Sequence, residues 1–171
     1  MPRKGFTLIE TVVVVSIIGI LAAMLVPTIS GMTAKARDGR RKSDIQHIAL
    51  ALELWREQNG RYPAPGEAGT DSCGGWRASD TSDFMQALVA SGLLKAYPAD
   101  PMNTGDGCGG YCYSYYRYGP YCSVPAYFYV LGARVLEGGA DPRRANVAGA
   151  NPACRNWADE FQYLTWGRED Q

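Results

Sequence analysis

The stretch from Gly5 to Pro27, GFTLIETVVVVSIIGILAAMLVP, sets one carboxylate, Glu10, at the head of an apolar run near the start of the chain. From Thr11 to Ile29 no side chain is charged. Roughly 20 residues rising about 1.5 Å each cross the hydrocarbon core of a bilayer as a helix, so residues 6–29 read as a transmembrane segment. A carboxylate buried in such a helix costs about 2.5 to 3.5 kcal/mol, so Glu10 needs a partner, and a cation suits it best. Ser30 to Gln171 is then enough chain for one globular domain on a long helical stalk, with no second domain.

An ordinary secretory signal carries its cleavage site after a short apolar core, and the core is lost. Here Gly5 precedes the apolar run, so a cut beside it keeps the helix. This N-terminus resembles that of type IV pilins and type II secretion pseudopilins. The resemblance implies that a prepilin peptidase removes residues 1–5, cutting between Gly5 and Phe6, and methylates the new Phe6 amine. It also implies that the amine on a neighbouring subunit is the cation for Glu10. Gly19 and Pro27 stand where pilins carry helix-weakening residues. In a helix interior glycine costs about 1 kcal/mol and proline about 3 kcal/mol, and the family's behaviour implies that this segment unwinds when subunits pack.

Seventeen basic and seventeen acidic residues balance. No whole-chain field marks a nucleic-acid protein, so DNA is a poor partner. Five cysteines, Cys73, Cys108, Cys112, Cys122 and Cys154, lie beyond the apolar segment. In an exported domain four of them make two disulfides and one is left over, and the sequence does not say which. A zinc reading of Cys108, Cys112 and Cys122 lacks the usual spacing and a following histidine. Lys35, Arg37, Arg40, Arg41 and Lys42 outnumber Arg3 and Lys4, so a positive-inside count alone puts the head in the cytoplasm. The cysteines and the pilin resemblance outweigh that count and place the head outside the inner membrane. The cluster itself reads as a solvated helix face, partly neutralised by Asp38 and Asp44, or as a contact for lipid phosphates or a neighbour's acids.

Ile45, Ile48, Leu52 and Trp55 recur at helical period, so an amphipathic continuation of the helix is predicted over 30–58, ended by Asn59 and Gly60. Gly31 and Gly39 are weak points where bending is expected. Tyr62 to Arg77, with two prolines and four glycines, reads as a loop. A short helix is predicted over 82–91, with Ser82 as its cap and Gly92 as its stop. Strands are predicted at Tyr111 to Tyr118, Ala126 to Leu136 and Glu160 to Trp166, joined closely enough for an antiparallel sheet. The runs LLKAYPADP and YVLGARVLEGG resemble the major pseudopilin and its pilin relatives. Residues and resemblance together predict an α+β, pilin-like lollipop: a long N-terminal helix packed on a small antiparallel sheet in a head over 59–171, with Asp141 to Gln171 a variable tail.

Catalytic chemistry is hard to assemble from this chain. Gly105 to Gly110 carries the letters of a dinucleotide-binding motif, but a tyrosine-rich strand follows where a helix is required, so a flexible loop is the better reading. His47 is the single histidine, and Walker, HExxH and G-x-S-x-G signatures are absent from the sequence. The chain is therefore expected to be an enzyme's substrate and not an enzyme. Eight of the eleven tyrosines fall between Tyr111 and Tyr129, an arrangement that suits cross-strand packing or an exposed stacking face. Asp100, Asn103, Asp106, Glu137 and Asp141 are oxygen ligands near the loop in which the major pseudopilins carry calcium. Arg134 and Val135 stand where those carry Asp-Gly, and Arg143 with Arg144 replaces acid by base, so calcium is a weak candidate and a solvated turn the alternative.

The resemblance thus implies a structural subunit of a type IV pilus or pseudopilus. Its partners are copies of itself and other pilin subunits in a helical filament, the prepilin peptidase and N-methyltransferase, an assembly platform protein, and membrane lipid before assembly. The rival reading is a monomeric membrane-anchored extracytoplasmic binding module that uses the tyrosine-rich sheet.

Overall fold

The computed structural model describes residues 5–141, 147–151 and 153–170, the side chains of 25–30 apart. Leader residues 1–4 and the basic pair Arg143 and Arg144 lie outside the described residues. The chain divides into two compact units, Met1–Ala36 and Arg37–Gln171.

Helix α1, Leu8–Asn59, supplies the first unit and begins the second. Its assignment is unbroken through Gly19, Pro27, Gly31 and Gly39, so the bends expected at the glycines do not interrupt it. One missing N–H at a proline removes one hydrogen bond, and the turns on either side hold the rest. Gly60, at φ +72°, stops the helix where the sequence places its end. In the first unit the apolar side chains from Phe6 to Met24 are exposed. Among the described residues no helix is long and apolar enough to cross a membrane.

The second unit packs α1 against a five-stranded sheet. The strands are β1 (Asp71–Cys73), β2 (Trp76–Ala78), β5 (Tyr113–Tyr118), β6 (Phe128–Ala133) and β7 (Tyr163–Arg168), in that order and antiparallel throughout. A two-stranded hairpin, β3 (Thr104–Asp106) and β4 (Gly109–Tyr111), stands apart. Helices α2 (Gln86–Ala90) and α3 (Trp157–Glu160) are short. Ile45, Ile48 and Leu52 of α1 bury against Phe84, Leu88, Tyr113, Tyr115, Tyr129 and Leu131, which is the face the periodicity predicts. Each buried tyrosine hydroxyl needs a partner. Tyr113 donates to Asp44 Oδ2 at 2.8 Å and Tyr115 to the Pro63 carbonyl at 2.9 Å. A second core gathers Trp76, Phe128, Val130, Trp157 and Phe161, and the Arg134 guanidinium lies 4.7 Å from the Trp76 ring and 4.5 Å from Phe161.

Several expectations change. The helix expected over 82–91 is only five residues long, because Ser82 to Met85 serve the neighbouring loop. Asp83 accepts from Thr70 N at 2.9 Å and Thr70 Oγ1 at 2.7 Å, and Met85 N reaches the Ala68 carbonyl at 2.8 Å. Met85 takes φ +60° as a result and replaces Ser82 at the helix start. The loop of Tyr62 to Arg77 contains β1 and β2, and the glycine-rich 105–110 stretch is the β3–β4 hairpin. The strand expected over 111–118 divides at Cys112. The stretch from Asp141 on supplies β7, near the strand expected at Glu160 to Trp166, and four of the ten buried residues of the second core. At Gly132 a Cβ would lie 2.4 Å from the Tyr163 carbonyl, so the glycine admits the neighbouring strand.

Candidate functional site

Two constellations carry the residues singled out by sequence. At the N-terminus, Phe6 is 83 % exposed and Glu10 stands in the first turn of α1. The Glu10 carboxylate already has a partner in its own chain. Thr7 N donates to Oε2 at 2.8 Å and Thr7 Oγ1 to the same oxygen at 2.7 Å, while Glu10 N reaches back to Thr7 Oγ1 at 3.4 Å. This reciprocal arrangement is a capping box, and the T-x-x-E spacing of Thr7 and Glu10 is the signal that announces it. Both contacts to the carboxylate use Oε2. Gly19 and Pro27 lie further along the same helix, and Gly5 precedes it with open space around its Cα.

The second constellation centres on Arg41, whose side chain is fully buried. Its Nε and Nη2 donate to the two carboxylate oxygens of Asp100 at 2.7 and 3.1 Å, and Nη1 donates to Asp38 at 2.7 Å and Glu137 at 2.9 Å. The guanidinium also lies 4.8 Å from the Tyr111 ring centre. Arg37 adds a two-point contact to Glu137 through Nε and Nη2, and Asp38 accepts from the backbone of Glu137 at 3.0 Å and Gly138 at 2.8 Å. The Arg37 hydrogen bonds, with help from Arg41, hold the Glu137 carboxyl down at about 2. Three carboxylates around Arg41 raise its pKa above the ordinary arginine value against the opposing effect of burial.

The basic cluster is therefore only partly a solvated face, since Lys35 and Arg40 are exposed whereas Arg41 is fully buried. Arg37 and Arg41 are bound into the head, and Lys42 Nζ sits 2.5 Å from Asp141 Oδ2. Of the rest, Arg40 is exposed beside Asp44 at 3.5 Å, as the i, i+4 spacing predicts.

The five oxygen ligands considered for calcium do not fit the ion. The structure brings Asp100 and Glu137 together, but around a guanidinium, and gives Asp141 to Lys42. Asn103 Oδ1 takes the Ser79 hydroxyl at 2.9 Å, and Asp106 Oδ1 accepts from Cys108 N and Gly109 N at 2.8 and 2.9 Å. Two of the three sulfur ligands of the zinc reading are likewise spent. Cys73 pairs with Cys108 and Cys122 with Cys154, leaving Cys112 as the free, buried thiol. Cys73, Asp106 and Cys108 do converge, but the two sulfurs are bonded to each other. Burial pushes the Cys112 thiol up to about 11, which suits an inert core position.

A model of the prokaryotic N-terminal methylation motif matches residues 1–26. Over the body of the chain, the type II secretion system core protein G of Pseudomonas aeruginosa is 34% identical across 152 residues, covering 81% of this chain and 89% of that protein. The chain belongs to the type II secretion system core protein G family. The core protein G of Vibrio cholerae is 31% identical over 137 residues, covering 80% of this chain and 85% of that protein. That of Aeromonas hydrophila is 41% identical over 99 residues, 58% and 67% of the two chains. No solved structure matches the chain. Gly5 and Glu10 were singled out in the sequence from the N-terminal motif alone. Thr7 and the central place of Arg41 were missed, and Asp38 was read only as an acid that partly neutralises the basic cluster. Asp38 and Arg41 are three apart on one helix and could have been paired from spacing, but Asp100 and Glu137 reach them only through the fold.

Proposed function

We propose that this chain is a structural subunit of a type II secretion pseudopilus, cut between Gly5 and Phe6, methylated at the Phe6 amine, and held in the filament through the apolar N-terminal segment of α1. The observation that carries this reading is the exposure of that segment. Phe6, Leu8 and Ile9 are 83, 82 and 71 % exposed, and Val12 to Leu21 are close to half exposed or more at each large apolar position. Such a surface belongs in a bilayer before assembly and against other helices after it. The anchor is then single-pass in the inner membrane with the disulfide-bonded head on the extracytoplasmic side. The partners are copies of the chain, other pseudopilin subunits, the prepilin peptidase and an assembly platform protein.

The role is structural and needs no cofactor. Arg41 does in covalent form what a bound cation would do between Asp100 and Glu137, so we assign no calcium to those acids. The tethered binding module loses its basis, because Tyr113, Tyr115, Tyr118 and Tyr129 are buried packing residues and not an exposed stripe.

Intact mass and sheared filaments test the proposal. The mature chain begins at a methylated Phe6. Glu10→Gln leaves cleavage intact and lowers recovery in filaments, since glutamine keeps the size and loses the charge that answers a neighbour's amine. A retained leader in the wild-type chain, or its absence from sheared filaments, overturns the reading.

A further inference from the structure

The convergence of Cys73, Cys108 and Asp106 has its consequence before the disulfide forms. Cys73 closes β1, Asp106 closes β3, and Cys108 sits in the turn between β3 and β4. The two sulfurs and a carboxylate oxygen of Asp106 all lie within 4.8 Å of one another. Cys73 is half-buried, whereas Asp106 and Cys108 are exposed, so solvent reaches the group. A head that crosses a membrane starts as thiols, and its disulfides form only in an oxidising compartment.

Contacts other than the disulfide hold these residues together. Gly107 N donates to Ser72 Oγ at 2.8 Å and Arg134 Nε to the Gly107 carbonyl at 2.8 Å, which joins the β3–β4 turn to β1 and to the segment after β6. A Cβ at Gly107 would lie 2.8 Å from Trp76 Cβ and 3.4 Å from Cys73 N, so the two hairpins are in close contact there. Cys108 N and Gly109 N both donate to Asp106 Oδ1, at 2.8 and 2.9 Å, and fix the carboxylate over the turn. The donor set therefore does not depend on the sulfur–sulfur bond.

We propose that the reduced head binds zinc through the Cys73 and Cys108 thiolates and the Asp106 carboxylate, and that the cation holds this pair until it is oxidised. Thiolate sulfur selects zinc over calcium or magnesium. With bonds of about 2.3 Å to sulfur and about 2.0 to 2.2 Å to oxygen, the ligand atoms of a tetrahedral zinc stand about 3.6 to 3.8 Å apart, inside the span these donors already keep, and water takes the fourth position. Cys112 stays outside the set, its Sγ donating to the Asp106 carbonyl at 2.6 Å. Binding releases one proton from each thiol. A disulfide oxidant then takes two electrons from the thiolates: the Cys73–Cys108 bond forms, zinc leaves, and the oxidant departs as two thiolates that take up protons from water. Cys112 remains a thiol, which is the pairing of the folded chain.

The test uses the full-length chain in detergent, reduced with a phosphine under argon, with cobalt as a spectroscopic stand-in for zinc. The reduced parent takes up about one cobalt per chain with sulfur-to-cobalt charge-transfer absorption and yields it to zinc, and the oxidised parent binds neither ion. Cys73→Ser combined with Cys108→Ser abolishes the absorption, and Cys122→Ser combined with Cys154→Ser keeps it. Asp106→Asn retains an oxygen for the Cys108 and Gly109 amides, loses the charge, and weakens binding by about tenfold or more, the least that loss of even a supporting partner costs a metal site. X-ray absorption at the zinc edge of the reduced parent needs no variant and shows two sulfurs with oxygen. A reduced parent without the charge-transfer band, a band that survives without Cys73 and Cys108, or a zinc shell with any other number of sulfurs overturns the proposal.

Discussion

Arg41 shows how much one side chain decides in this head. It is fully buried and touches three carboxylates drawn from α1, from the YPADP connection and from the segment after β6. Removing the cation leaves three acids facing one another with little solvent, and breaking a buried ion pair of this kind costs about 3 to 5 kcal/mol. Arg41→Ala is accordingly expected to lower the urea midpoint of the purified protein by that amount of free energy. Arg41→Lys recovers little of it, because an ammonium cannot make the two-point contact to Asp100. Adding calcium or a chelator leaves the melting temperature of the wild-type protein unchanged, and a rise with calcium would show that the acids hold an ion after all.

At the scale of elements, the two disulfides staple hairpins to what lies over them. Cys73–Cys108 ties the β1–β2 hairpin to β3–β4, and Cys122–Cys154 ties the β5–β6 connection to the segment before α3. Their sequence separations of 35 and 32 residues correspond to about 3 to 4 kcal/mol each in the chain-entropy account. Alkylation with mass spectrometry is expected to leave the native protein unlabelled and to mark Cys112 alone once the unreduced chain is unfolded. Burial and a thiol raised to about 11 both protect it in the fold. Labelling at any other cysteine would refute the pairing. Gly132 is the matching packing device in the sheet. Gly132→Ala forces a methyl towards the Tyr163 carbonyl and the Phe161 ring, at 2.4 and 2.8 Å, and is expected to destabilise by about 1 to 3 kcal/mol in the same denaturation assay.

For the molecule as a whole, acid is the revealing variable. Glu137 and Glu67 are both lowered from 4.5 to about 2, chiefly by hydrogen bonds from Arg37 and Arg61 respectively. A carboxyl whose folded pKa is depressed contributes stability that is complete above its unfolded value and is lost as pH falls through the folded one. Denaturation midpoints should therefore hold from neutrality to about pH 5 and decline from there to about pH 2. Glu137→Gln should start lower at pH 7 and decline less across that interval. An unchanged slope would show that Glu137 is not one of the groups responsible. The sequence by itself determined the long helix, its buried face at Ile45, Ile48 and Leu52, its end at Gly60, the α+β class and the family, because each rests on residues close together in the chain. Only the tertiary structure decided which cysteine is free and that Arg37, Arg41 and Lys42 turn into the head. Those outcomes depend on partners 32 to 100 positions away, and local periodicity and spacing carry no term for such distances.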